Sequence, residues 1–218
     1  MKTHVWLALG DSITEKNQRT EKNYHLIVKE KLGNLEVINA GEGGTGFRHH
    51  HKTRPPFYKR IERYKDYPID FITILGGIND LMLDDGYIGK AGDSSEDSYM
   101  GCLDILIKKI ETLFPGVPYA FISTVPQEGF IPTDPNNKLE TLVSEMAQYA
   151  KDRNIPFLDI LHDSPLKPWE KDNNKKYYSN PEMPDGDGLH PNLAGHMIMA
   201  EKITPFVKKI VEKLENKI

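Results

Sequence analysis

Gly10-Asp11-Ser12-Ile13-Thr14 directly follows the apolar run Val5 to Leu9, so its serine stands where the backbone leaves a buried strand. A hydroxyl there is placed to attack a bound carbonyl, but serine is a weak nucleophile at neutral pH. It needs a histidine to take its proton and a carboxylate to orient that histidine. Two segments have the spacing for such a pair, Asp187-Gly188-Leu189-His190 and Asp159-Ile160-Leu161-His162. An aspartate and a histidine three apart arise roughly 0.6 times by chance at this composition, so spacing does not choose between them. Asp159 and His162 end an apolar run read as a strand, where alternation sends residues three apart to opposite faces. Gly186 and Gly188 free the other segment from that restriction, which favours Asp187 with His190; Asp185 is an alternative carboxylate. A second Gly-Asp-Ser, Gly92-Asp93-Ser94, sits in a polar, acidic run after no strand and reads as surface loop.

Acyl transfer also requires donors aimed at the oxygen that becomes negative in the tetrahedral intermediate, each worth about 2.7 to 4 kcal/mol of barrier. Two turns offer them. Asn39-Ala40-Gly41-Glu42-Gly43-Gly44-Thr45-Gly46 is glycine-rich, and a residue without a Cβ lets a backbone N–H approach a ligand closely. Gly76-Gly77-Ile78-Asn79-Asp80 supplies an amide donor that keeps its protons at any relevant pH. Taken singly, each is also an ordinary turn sequence.

These segments need a scaffold that brings them to one edge. Five short apolar runs read as buried strands: Val5 to Leu9, Leu35 to Asn39, Ile69 to Leu75, Pro118 to Ser123 and Pro156 to Leu161. Between them, Met100, Leu103, Ile107, Ile110 and Phe114 step by three and four, as do Leu139, Leu142, Val143, Met146 and Ala150. Tyr24 to Leu32 is a helix stopped by Gly33, and a last helix from Asn192 is expected to break at Thr204-Pro205. Strands alternating with helices predict a parallel sheet covered on both faces, with ligands at the carboxyl ends of its strands. Leu81 to Ser98 and His162 to Gly188 read as long irregular stretches, the second carrying Trp169, Tyr177 and Tyr178.

With 218 residues, 38% of them hydrophobic, the chain has material for one core, and a single domain over 1–218 is expected. The formal charge of −4 disfavours a basic nucleic-acid binder and suits a small soluble substrate. One cysteine, Cys102, excludes an internal disulfide. No apolar run near the start reaches the length of a signal-peptide core or a membrane span, so a cytoplasmic protein with no stable membrane insertion is expected. Nothing in the sequence sets the oligomeric state.

The four segments occur in the order in which one sheet edge would assemble them, and together they resemble the GDSL hydrolases of the SGNH superfamily, named for Ser, Gly, Asn and His. Gly10 to Thr14 matches the serine block, with Ile13 where the family name has leucine. Asn39 to Gly44, Gly77 to Asp80 and Asp187 to His190 match the other three, and the resemblance runs from residue 4 to 215. It implies a flavodoxin-like three-layer α/β/α sandwich with a five-stranded parallel sheet of order 2-1-3-4-5. It also implies Ser12 as nucleophile, His190 as general base and Asp187 as its orienting partner. The oxyanion hole would be the Ser12 and Gly44 backbone N–H groups and the Asn79 amide. No cofactor or metal is implied. The expected activity is hydrolysis of small acyl esters, acetyl or short-chain, through an acyl-enzyme, with acylated carbohydrates among the substrate classes. Lysophospholipase or thioesterase activity, or a catalytically inactive carbohydrate-binding relative, are the alternatives.

Other enzyme classes fit less well. A metallophosphoesterase would carry Gly-Asn-His-Asp where this chain has Gly-Ile-Asn-Asp, and the Gly-x-Ser-x-Gly of an α/β-hydrolase is absent. An FMN carrier needs a phosphate loop after strand one, and Gly10 to Lys16 is too acidic. His49-His50-His51 is a poor metal site, because adjacent loop side chains seldom converge on one ion. The stretch Arg48 to Lys65, with seven Lys/Arg against Glu62, is either a solvated face or a surface that steers anionic substrates.

Overall fold

Alternation inside each strand determines the layers. In the computed structural model, which describes residues 2–16, 19–49, 53–82, 86–132, 134 and 136–216, β1 (His4–Gly10) sends Leu7 and Leu9 to one face and Trp6 and Ala8 to the other. β3 (Phe71–Leu75) divides likewise, with Ile72 and Ile74 opposite Phe71 and Leu75; so does β4 (Tyr119–Ile122), with Phe121 opposite Ala120 and Ile122. Strands that are apolar on both faces must be covered twice. α1 (Tyr24–Leu32) and α7 (Leu193–Glu215) cover the Trp6 face, while α2 (Phe57–Arg60), α4 (Tyr99–Leu113) and α5 (Lys138–Asp152) cover the Leu7 face.

Between these layers lies a five-stranded, wholly parallel sheet of order β2-β1-β3-β4-β5, where β2 is Leu35–Gly41 and β5 is Phe157–Leu158. The result is the flavodoxin-like three-layer sandwich expected from the sequence. Gly10 pairs with Gly41 on one side and Leu75 on the other, so the three segments that follow these strands leave the sheet at one level. The strand order reverses direction at β1, so crossovers depart to opposite sides there and leave a crevice at its carboxyl end.

Three local expectations are corrected. β5 has two residues, and 159–162 form a turn rather than the end of a strand. The stretch 162–188 contains a helix, α6 (Lys171–Tyr178), whose low apolar content hid it. α7 runs on through Pro205. Proline there removes an N–H that would have bonded to the carbonyl of Glu201, but Pro205 and Glu201 are both exposed, so water can serve that carbonyl. The buried stripe Ile203, Val207, Ile210 and Val211 passes uninterrupted beneath it. Two further short segments, α3 (Ile78–Met82) and a 3-10 turn (Ile61–Tyr64), complete the fold.

Among the described residues, no helix is long and apolar enough to cross a membrane.

Candidate active site

After Gly10 the chain tightens at once: the N–H groups of Thr14 and Glu15 bond to the Asp11 carbonyl at 3.1 and 2.9 Å, and the Ile13 N–H bonds to the Asp11 carboxyl at 2.9 Å. This turn brings Ser12 Oγ to 3.0 Å from His190 Nε2, across 178 positions of sequence. The histidine is held by its own aspartate. One Asp187 oxygen accepts the N–H groups of Leu189 and His190 at 2.9 and 2.7 Å; the other lies 2.9 Å from His190 Nδ1 and accepts from the Asn180 amide at 3.2 Å. An ionised carboxylate only accepts, so Nδ1 carries the ring hydrogen and Nε2 is left to accept from the Ser12 hydroxyl. Burial works to raise the Asp187 carboxyl, but the hydrogen bonds from His190 and Leu189 outweigh it and leave it below the ordinary carboxylate range. Gly188, at φ 63°, makes this turn possible, and a Cβ there would lie 2.5 Å from Glu128 Cβ.

The other two turns are clamped to each other. The Asn79 amide donates to the Thr45 carbonyl at 2.9 Å, and the Asp80 carboxyl accepts the N–H groups of Phe47 and Arg48 at 3.1 and 2.7 Å. Gly44, at φ 69°, therefore sits in a loop gripped by the first turn of α3. Gly46 permits the grip, since a Cβ on it would come within 2.2 Å of an Asp80 oxygen. The Glu42 N–H bonds to the Gly10 carbonyl at 3.2 Å and ties this loop to the end of β1.

Arg60 was not singled out by sequence reasoning, because it lies in a basic run with no distinguishing neighbour. Its fully buried guanidinium donates to the carbonyls of Ala40 and Gly10, both at 2.8 Å, and stacks over Phe57 at 4.9 Å. One side chain thus fastens the ends of β1 and β2 below Ser12. Arg54 donates to the Gly43 carbonyl, and Arg63 pairs with Glu42. The stretch read as a solvated or steering face is thus partly structural.

Two carboxyls lie buried under the turns. Burial raises Asp80 to about 7, against the pull of the Arg48 and Phe47 N–H groups and with a further push from Asp11. Burial likewise raises Asp11 from 3.8 to about 6, opposed by the Ile13 N–H and by His190 and Arg60, and one of its oxygens has no hydrogen-bond partner. A folded value above the unfolded one means that the folded state holds the proton more tightly. The stability this confers is whole below about pH 3.8 and is lost as pH rises through about 6. Asp11→Asn keeps an acceptor for Ile13 and removes the buried charge. Its stability relative to the parent is therefore expected to climb between pH 4 and 7 by about 2 to 3 kcal/mol and then level off. Urea unfolding across that range measures it; a difference that stays flat or falls with pH rejects the assignment.

The rival residues lie elsewhere. His162 does reach Asp159, with Nδ1 2.6 Å from the carboxyl, and Leu161 and His162 N–H groups bond to Asp159 as their counterparts do to Asp187. The alternation argument fails because 159–162 is a turn. Its Nε2, however, faces Glu140 at 2.6 Å rather than a serine. Burial would lower the His162 pKa, yet its two carboxylate partners raise it. Asp185 is exposed and paired with Lys175 at 2.9 Å, and Gly92-Asp93-Ser94 occupies a loop where Asp93 accepts from Ser98, the cap of α4. His49 is exposed; His50 and His51 lie outside the described residues. Tyr178 is a core residue whose hydroxyl donates to the Pro126 carbonyl at 2.9 Å, and Tyr177 packs against the same core.

Known structures share this arrangement of strands and helices. A protein of Lactobacillus plantarum superposes with a TM-score of 0.77 at 25% identity, covering 96% of this chain and 98% of its own. A lipase/acylhydrolase from Enterococcus faecalis gives 0.63 at 17%, with 95% and 96% covered, and a carbohydrate acetylesterase family member from Sinorhizobium meliloti gives 0.66 at 15%, with 96% and 100% covered. At such identities the last two speak for the fold alone. Among curated proteins, none matches the chain. The profile of the GDSL-like Lipase/Acylhydrolase family matches residues 8–198, from the middle of β1 into α7 and through every turn described above. The chain belongs to that family.

Proposed function

We propose that the protein hydrolyses small acyl esters, acetyl or short-chain, through a covalent acyl-enzyme on Ser12. What supports this reading is the unbroken chain of hydrogen bonds from Ser12 Oγ through His190 to Asp187. As His190 Nε2 takes the Ser12 proton, Oγ attacks the ester carbonyl. The oxygen that becomes negative is received by the backbone N–H groups of Ser12 and Gly44 and by the Asn79 amide. That amide nitrogen has two hydrogens, and the Thr45 carbonyl uses one. The intermediate collapses, the leaving alkoxide takes the proton from His190, and the acyl group stays on Ser12. Water, deprotonated by the same Nε2, then releases the acid and restores the serine.

Substrate class is tested by comparing turnover of acetylated oligosaccharides, 4-nitrophenyl esters of increasing chain length, lysophospholipid and acyl-thioesters. The expected order places acetyl and other short esters first, with kcat/KM falling as the acyl chain lengthens. A preference of tenfold or more for long chains or thioesters would replace this reading, and no turnover of any member would remove it.

A further inference from the structure

The strands begin at the end of the sheet opposite Ser12, and there a cleft of about 510 Å³ opens between the starts of β4 and β5, the end of α5 and the last turns of α7. That volume lies within the ~300 to 1,000 Å³ of small-molecule sites. Phe206, Ile210 and Leu214 line one wall, spaced by one turn along α7, and Tyr119 and Ile155 face them. Such a lining suits an apolar body.

The charged side chains that line it are all cationic, while Glu111 accepts from the Tyr119 hydroxyl at 2.6 Å and Asp104 accepts from Arg153. Arg153, Lys209 and Lys213 line the cleft, and among the described residues no aspartate or glutamate does. Arg153 is already committed, bonded to Asp104 at 2.7 Å and stacked on Tyr149 at 4.7 Å. The two lysines are exposed and one turn apart, and neither has an ion-pair or hydrogen-bond partner among the described residues. The carboxylates of this part of α7, Glu212 and Glu215, face a separate cavity with Leu32 and Asn34. Like charges four apart on a helix repel, and an anion between them turns that cost into attraction. In a chain of net charge −4 this is a local cationic rim on an apolar floor.

We propose that this cleft is a binding site for a free amphipathic anion, an apolar chain or ring ending in one carboxylate. Its body rests on Phe206, Ile210 and Leu214, and its carboxylate lies between Lys209 and Lys213. The proposal is independent of the chemistry at Ser12. Calorimetric titration of the full chain with octanoate tests it, with 1-octanol and octylammonium as neutral and cationic counterparts. Octanoate is expected to saturate one site per chain. The neutral alcohol is expected to bind at least about tenfold more weakly, and the cation not at all. Lys209→Glu with Lys213→Glu, two exposed changes whose effect on folding is checked by thermal unfolding, is expected to weaken octanoate by at least about tenfold. Three results would overturn the proposal: no saturable heat, unchanged affinity in the double variant, or equal affinity for octanol. Binding to phosphatidylglycerol vesicles without binding of monomeric octanoate would overturn it too, by making this face a membrane contact.

Discussion

Ser12→Ala is expected to abolish ester turnover, lowering kcat by at least about a thousandfold, while the unfolding temperature moves by no more than a degree or two. The size follows from what the alanine lacks. Without Oγ no acyl-enzyme forms, and only the donors around the carbonyl remain to assist direct attack by water. Stability is spared because only the hydroxyl is lost, in the turn just past the carboxyl end of β1, and the change opens no apolar cavity. Steady-state hydrolysis of 4-nitrophenyl acetate, with mass spectrometry of the trapped protein, checks both halves. The parent should show a transient mass increase of one acyl group and the variant none. Full turnover in the alanine protein would exclude the mechanism proposed here.

Asp187→Asn is expected to cost about three to four orders of magnitude in kcat with little change in KM. The substitution is nearly isosteric, so what changes is the proton inventory. Asp187 accepts from the Leu189 and His190 N–H groups with one oxygen and from His190 Nδ1 with the other. If the asparagine oxygen keeps the two backbone bonds, its NH2 faces Nδ1. The ring must then accept at Nδ1 and carry its hydrogen at Nε2, which can no longer take the Ser12 proton. The double variant Ser12→Ala with Asp187→Asn should be hardly slower than Ser12→Ala, because the two residues act as a unit. Ring nitrogen shifts from NMR would show the tautomer change directly. A variant with parental kcat would mean that the carboxylate does not set the tautomer.

Much of this was legible in the chain. Short apolar runs rich in β-branched or aromatic residues marked all five strands, and three-and-four spacing marked α4 and α5, because burial imposes those patterns. The serine, glycine, asparagine and Asp-x-x-His segments were readable because each falls immediately after a strand or before a helix. The elements that were missed, α2, α3 and α6, are short or polar and present no apolar stripe. Arg60, Asp11 and Asp80 were missed as supports for another reason. A buried charge looks the same in sequence as a solvated one, and only its surroundings distinguish them.

The two Asp-x-x-His turns mark the boundary most clearly. Spacing by itself allowed both, and the alternation argument against Asp159 and His162 failed because each pair needs only a short turn in which the carboxyl caps two backbone N–H groups and reaches its own imidazole. The sequence did determine the parallel sheet and the strand ends at which chemistry belongs. Which imidazole meets a hydroxyl was decided only in three dimensions. β5 carries His162 to Glu140 at the sheet's far edge, while α7, packed against α1, returns His190 to the end of β1. Local sequence controls bonds between residues three apart; a contact across 178 positions depends on how the whole sheet is ordered and covered.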